Sequence, residues 1–263
     1  MTILDKIVLR KRVEVEQEKL KVPVEVLEAE PNFVRKPYSF RDFLLDPART
    51  GIIAEFKRRS PSKGLINGEA KVVDVTMSYA SAGASALSVL TDIDFFGGSG
   101  YDLIEARAVN SIPILKKDFI IDPYQLLEAK AIGADIILLI AAILTPKEID
   151  SLASFAKSLG LNVLLEVHNQ EELARSMSQH VDAIGVNNRN LADFTVNVQT
   201  SFELVDQIPN DFLKISESAI SETGTILKLR EAGFHGFLIG ENFMKTDDPG
   251  AAMHAFVSKL KTV

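Results

Sequence analysis

Glu55 and Lys57 stand two residues apart at the end of the apolar run GIIAEFK (51–57). In an extended chain they share one face while Phe56 takes the other. The arrangement recurs. Lys117 closes IPILKKD (112–118) and Phe119 follows two residues on; Glu166 and His168 end NVLLEVH (162–168). Asn187 ends AIGVNN (183–188) with Arg189 just beyond, Glu217 and Ser218 end LKISES (213–218), and Gly240 and Glu241 end GFLIGE (236–241). One strand ending in charge is ordinary, because strands emerge into water. Run after run ending this way implies a ring of ammonium, carboxylate and amide tips, because charge among apolar residues is costly unless paired. Such a ring would move pKa values toward acid–base work near neutrality.

A second constellation suits a phosphate. SPSKG (60–64) follows the first run, with Ser60 and Ser62 as hydroxyl donors and Gly64 as a flexible backbone position. ESAIS and IGEN would add backbone N–H groups from Ala219, Gly240 and Glu241. By itself a Ser-x-Ser beside glycine more often marks a turn; the phosphate reading needs the right elements around it.

The elements follow from the spacing. Beyond residue 50 there are eight short apolar runs, the six above together with ALSVLTD (86–92) and DIILLIA (135–141). Most are apolar at consecutive positions, as strands covered on both faces are. Between them lie helical segments. TPKEIDSLASFAKSLG has Thr145 as N-cap, Pro146 at the first helical position, Glu148 at the third and Gly160 as the stop. SETGTILKLREAG has Ser221 as cap and Gly233 after its end. Run starts are roughly 21 to 35 residues apart, room for a strand, a helix and two short loops. Eight such units predict a (β/α)8 TIM barrel, with an open doubly wound sheet as the alternative. The barrel would place the charged tips and both phosphate segments at one end. Residues 1–263 are read as one domain, with residues 1–48 as an N-terminal helical extension. That extension either covers one end of the barrel or forms a loosely packed arm, and Arg10-Lys11-Arg12 reads as a solvated helix face.

Composition narrows the function. The chain has 29 Lys and Arg against 36 Asp and Glu, a net charge of −7, which argues against a nucleic-acid footprint. Cysteine is absent, so disulfides, thiolate metal sites and thiol nucleophiles are excluded. The four histidines (His168, His180, His235, His254) lack the close spacing of a helical metal site. The longest apolar run, Ile136 to Leu144, falls far short of the ~20 residues that span a membrane. These features lead us to expect a cytoplasmic protein with no metal, no membrane and no nucleic-acid partner, monomeric or at most a weak homo-oligomer.

The blocks IAEFKRRSPSKG, LKKDFIID, LLEVH, GVNNRNL, ISESAIS and LIGENFM, in this order over about residues 40 to 250, resemble the indole-3-glycerol phosphate synthase family of tryptophan biosynthesis. The resemblance implies a TIM barrel with an amino-terminal extension and no cofactor. It also implies a lyase that turns 1-(2-carboxyphenylamino)-1-deoxyribulose 5-phosphate into indole-3-glycerol phosphate, carbon dioxide and water. Carried over by motif, the catalytic residues are Glu55, Lys57, Lys117, Glu166, Asn187, Glu217 and Ser218. Ser60, Ala219, Gly240 and Glu241 would hold the phosphate, Phe119 and Leu238 the aromatic ring, and Arg189 would lie beside the substrate. One departure is visible: Ala219 stands where the family commonly has glycine, which matters only if that position needs positive φ. The residues alone leave rivals open: a phosphosugar isomerase, a Schiff-base aldolase using Lys57 or Lys117, or a non-catalytic anion-binding barrel. The related phosphoribosylanthranilate isomerase family uses a cysteine base, which this chain lacks.

Overall fold

A computed structural model describes residues 2–190 and 194–261; Leu191, the last residue of GVNNRNL, lies outside them. Eight strands close into a barrel: β1 (Ile52–Phe56), β2 (Ala86–Leu90), β3 (Ile114–Lys117), β4 (Ile136–Ile140), β5 (Asn162–Val167), β6 (Ala183–Asn187), β7 (Leu213–Glu217) and β8 (Gly236–Ile239). Each pairs in parallel with its neighbours in the chain, and β8 against β1 completes the ring. All eight apolar runs are strands. The regular pairing ends one or two residues before most of the runs do, because their last residues turn out of the ladder to carry the loops.

The apolar residues divide by strand parity. Ile52, Ala54 and Phe56 point outward into the larger core beneath the helices, while Ile53, Leu115, Leu138, Leu164 and Ile215 fill the barrel interior. That double coverage is why the runs do not alternate. The helix following β4, α7 in chain order (Pro146–Ser158), begins with the expected capping box: Thr145 accepts from the Glu148 N–H, and the Glu148 carboxylate accepts from that of Thr145. Ser221 is not the cap of the helix after β7; that position is Glu222, one residue on, without a side-chain hydrogen bond.

The first 45 residues serve both ends of the barrel. Helix α1 (Ile3–Lys21) crosses the carboxyl end, where Ile3, Leu4 and Ile7 face the central cavity. Helix α3 (Phe40–Leu45) plugs the other end, with Phe40 and Leu44 joining the interior cluster. Between them the chain descends beside helix α6 (Tyr124–Ala131). The Tyr124 hydroxyl donates to the carbonyls of Glu18 and Val22, Lys130 donates to the carbonyl of Arg35, and Arg35 pairs with Asp135 at 2.8 Å. The extension is therefore neither a loose arm nor a cover for one end only.

The reading of Arg10-Lys11-Arg12 as solvated fails at its centre. Arg10 and Arg12 are exposed, but Lys11 is 1% exposed and shares a helix face with buried Ile7 and Val15. Its Nζ lies 2.9 Å from Glu14, 3.1 Å from Asp92 and 2.9 Å from Asp118. Asp118 also takes Lys116 at 3.1 Å and the Thr91 hydroxyl at 2.6 Å. Burial alone would lower the pKa of Lys11, but the carboxylates outweigh it and raise it. Removing one partner from such a cluster strands buried charge. Lys11→Met should therefore lower unfolding free energy by about 3 kcal/mol in a denaturant titration, whereas Leu20→Ala, at an 86% exposed position on the same helix, should change it little.

Candidate active site

Side chains of a strand alternate, so the inward positions of each strand stack in layers along the barrel axis. The top layer carries the charge. Glu55, Lys117, Glu166, Asn187 and Glu217 all face the central cavity, and Lys57, Ser60, Phe119, Arg189, Ser218, Leu238 and Glu241 complete its wall with apolar groups from α1. Ala219 and Gly240 line an adjoining cavity that shares Glu55, Lys57, Arg189, Ser218 and Glu241 with the first. The structure thus brings every candidate catalytic and substrate-binding residue named from the sequence to one end of the barrel.

The tips are paired. Lys57 Nζ lies 2.5 Å from Glu55 Oε1, and Lys117 Nζ lies 3.1 Å from Glu166 Oε2. Ser218 donates its hydroxyl to Asn187 Oδ1 at 2.9 Å, and the Arg189 N–H donates to the same oxygen at 3.0 Å. Arg189 and Lys63 grip the two oxygens of Glu241 at 3.2 and 3.5 Å. Glu217 differs: it is 1% exposed and its Oε1 has no hydrogen-bond partner.

Electrostatics separate the carboxylates. Burial would raise the pKa of Glu166, but Lys117 and His168 outweigh it and hold Glu166 well below the ordinary range. Burial pushes Glu217 up to about 8, and the charges of Glu166 and Glu55 add to that push more than Lys117 relieves it. Burial would lower Lys117, yet Glu166, Glu217 and Glu55 together raise it. The expected drift toward neutrality therefore occurs in Glu217 and not in the lysine. The resting site holds an ionised Glu166, a protonated Glu217 at neutral pH and a firmly charged Lys117.

Several contributors escape a reading of charged residues. A Cβ at Gly185 would stand 2.1 Å from Glu217 Oε1, and one at Gly240 would stand 2.5 Å from Glu55 Oε1. These glycines make room for the carboxylates, and neither has a side chain whose chemistry would mark it. The apolar half of the cavity joins Phe119, stacked at a tilt 5.9 Å from Phe96, with Ile3, Leu4 and Ile7 of α1. Ile3, Leu4 and Ile7 lie in the extension, and nothing in their types says which end of the barrel they face. Among the described residues no group of three or more His, Asp and Glu is arranged to hold a metal ion, and no helix is long and apolar enough to cross a membrane.

The backbone at the end of β7 is unusual. Ser218 and Ala219 have φ of +66° and +59°, the left-handed region, in consecutive non-glycine residues. The bend turns Ser218 toward Asn187 and lines the adjoining cavity with Ala219. The cost at alanine is about 1–2 kcal/mol, partly offset by the greater unfolded-state freedom of glycine. Ala219→Gly should therefore raise stability by about 0.5–1 kcal/mol in chemical denaturation. Glu217→Gln probes the buried acid. The folded pKa of Glu217 lies above its unfolded value, so the native chain keeps a proton the unfolded chain loses, and stability falls as pH rises between about 4.5 and 8. Glutamine removes that loss, so the variant should gain on the wild type by up to about 1.4 kcal/mol per pH unit across this window, read from melts at successive pH values.

Comparison with known proteins agrees with this geometry. The family model described as Indole-3-glycerol phosphate synthase matches residues 4–256. An indole-3-glycerol phosphate synthase of Bacteroides thetaiotaomicron is 49% identical over 98% of this chain and 99% of its own length. One from Burkholderia vietnamiensis is 42% identical over 95% and 97%. Among solved structures, a chain of the tryptophan synthase a2b2 complex from Pyrococcus furiosus superposes with a TM-score of 0.61 at 14% identity, over 82% of this chain and 100% of that one, a likeness of fold alone. With nearly its whole length matched by the family model and by both relatives, the chain belongs to the indole-3-glycerol phosphate synthase family.

Proposed function

We propose that the two cavities divide the work of the synthase reaction, the central one holding the anthranilate ring and the adjoining one the phosphate. The observation that carries this reading is the position of Lys117. Its ammonium is half-buried beside Glu166 in a cavity whose other half is apolar, so a proton donor faces the place where an aromatic ring would stack on Phe119 and Leu238. The reaction begins when the ring carbon bearing the carboxylate attacks the C2 carbonyl of the ribulose chain. Lys117 gives its proton to the carbonyl oxygen as the new bond forms. The raised pKa keeps the lysine charged until the bond forms, though it makes the ammonium a weaker acid, and the basicity of the alkoxide developing at C2 then draws the proton off.

Carbon dioxide then leaves, and its bonding pair restores the aromatic ring, whose nitrogen has carried the positive charge. The last step expels the C2 oxygen as water and passes a proton from C1 to the Lys117 amine, which ring closure left neutral. Lys57, 2.5 Å from Glu55, is placed to hold the anthranilate carboxylate first and to protonate the departing oxygen later, with Glu55 orienting it. Glu166 stabilises the cationic intermediate and assists dehydration. Asn187 and the protonated Glu217 hold the sugar hydroxyls, and Ser218 steadies Asn187. Ser60, the N–H groups near Ala219, Gly240 and Glu241, and the side chain of Arg189 supply the phosphate end.

This reading takes the chain as a single domain acting as a cytoplasmic monomer on a phosphorylated small molecule, without a cofactor. The test is single-turnover fluorescence with the carboxyphenylamino substrate. Wild-type protein should generate the indole signal, and Lys117→Ala should slow it about 10²–10⁴-fold. A near wild-type rate in Lys117→Ala would remove the lysine from ring closure. A borohydride-trapped adduct would favour an aldolase instead.

A further inference from the structure

His168 has no part in the scheme above, yet it sits against its central carboxylate. The imidazole is 10% exposed and lies between two glutamates. Nδ1 is 3.1 Å from Glu172 Oε2, which also accepts the His168 backbone N–H at 2.8 Å. Nε2 is 3.3 Å from Glu166 Oε1, within ion-pair reach but outside hydrogen-bond geometry, and it is buried with no other partner. Glu172 cannot drift. Its Oε1 accepts from the Asn169 side chain at 3.2 Å, and its backbone N–H donates to Asn169 Oδ1 at 2.9 Å, the N-cap of helix α8 (Gln170–Ser176). The imidazole is therefore aimed at the Glu166 oxygen that Lys117 does not hold.

Lys117 faces a difficulty that this arrangement resolves. To protonate the substrate it must turn from Glu166, and once its proton is gone it is neutral. A buried carboxylate left without a cation costs several kcal/mol, and that cost would be added to the barrier. We infer that His168 is a positioning residue for this reaction: backed by Glu172, it is the standing partner of Glu166, which leaves Lys117 free to move off that carboxylate and surrender its proton. A small rotation of Glu166 turns the 3.3 Å approach into a directed hydrogen bond as Lys117 withdraws.

The charges around the imidazole agree. Burial would lower the pKa of His168, but Glu166 and Glu172 outweigh it and push it up to about 10, so the ring is cationic at neutral pH. Glu172 is held down by the same ring, with Arg175 assisting. Across the barrel, Glu217 from β7 and Lys117 from β3 bear on the same carboxylate. On the open side, the cavity beside His168 is lined by Asn187 at the end of β6, by Asn188 and Arg189 just after it, and by Thr2 and Leu4 at the start of α1. Asn187 and Asn188 are amides, so Arg189 is the one charged group of these five.

The inference rests on the proposed roles of Lys117 and Glu166, and its experiment separates the two. Steady-state kinetics are measured across pH 5–10 for wild type, His168→Gln and Glu172→Gln, with the C2–H of His168 followed by NMR. In His168→Gln we expect kcat to fall about tenfold with KM nearly unchanged. Its acid limb should move upward, because Glu166 loses a cation and protonates more readily. In Glu172→Gln the imidazole loses one carboxylate, so loss of its charge and of activity should begin at lower pH on the alkaline side. The wild-type ring should stay charged beyond pH 9. Unchanged kcat and limbs in His168→Gln overturn the inference, as does a wild-type imidazole titrating near 6.5. Should His168→Gln fail to fold, the Glu172→Gln profile and the titration decide. A merely structural role would lower thermal stability and leave both limbs in place. Failure of the proposed roles shows separately, as full ring-closure activity in Lys117→Ala.

Discussion

Three carboxylates stand in one buried layer of the barrel, and most of the site follows from what such burial requires. Glu55, Glu166 and Glu217 are each under 5% exposed. A dry carboxylate must find a cation or give up its charge. Glu55 takes Lys57 and Glu166 takes Lys117, which leaves Glu217 beside two anions with one oxygen unpartnered. It resolves the conflict by keeping its proton. Acid and base are thus assigned by supply of cations within the ring rather than by residue type, since all three are glutamates.

The glycines belong to the same constraint. Glu217 occupies space that a methyl group at residue 185 would claim, and Glu55 does so at residue 240. In β6 the inward stack reads Ala183, Gly185, Asn187, a column of small or polar side chains where β4 has Ile136, Leu138 and Ile140. The wall at β6 is hollow so that the Glu217 carboxylate of the neighbouring strand can turn inward, and the wall at β4 is filled. The polar and apolar halves of the cavity are the two sides of that asymmetry.

How much of this the residues reveal depends on the kind of interaction. The strands are legible because an apolar run flanked by turns can hardly be anything else, and the charged tips because ionisable groups interrupt those runs at similar places. Lys11 is legible only in hindsight. Between Arg10 and Arg12 it looks solvated, but its spacing of four from Ile7 and from Val15 puts it on their buried stripe. No local rule announces that Asp92 and Asp118, brought from two separate loops, will be waiting there. Gly185 and the left-handed pair Ser218–Ala219 are hidden for the same reason. Each is set by a neighbour distant in sequence, and the register of a closed parallel barrel must be known before that neighbour can be named.

The piece of chain that roofs the catalytic end is covalently continuous with the piece that stoppers the opposite end, and it is fastened along the outer wall on the way. Roof and stopper therefore form one inherited cassette. A chimera that borrowed this cassette from a relative would exchange the ceiling over the central cavity and the foundation of the interior in a single step. The fasteners on α6 would have to match both, so specificity and foldability are tied together here in a way that loops following individual strands are not.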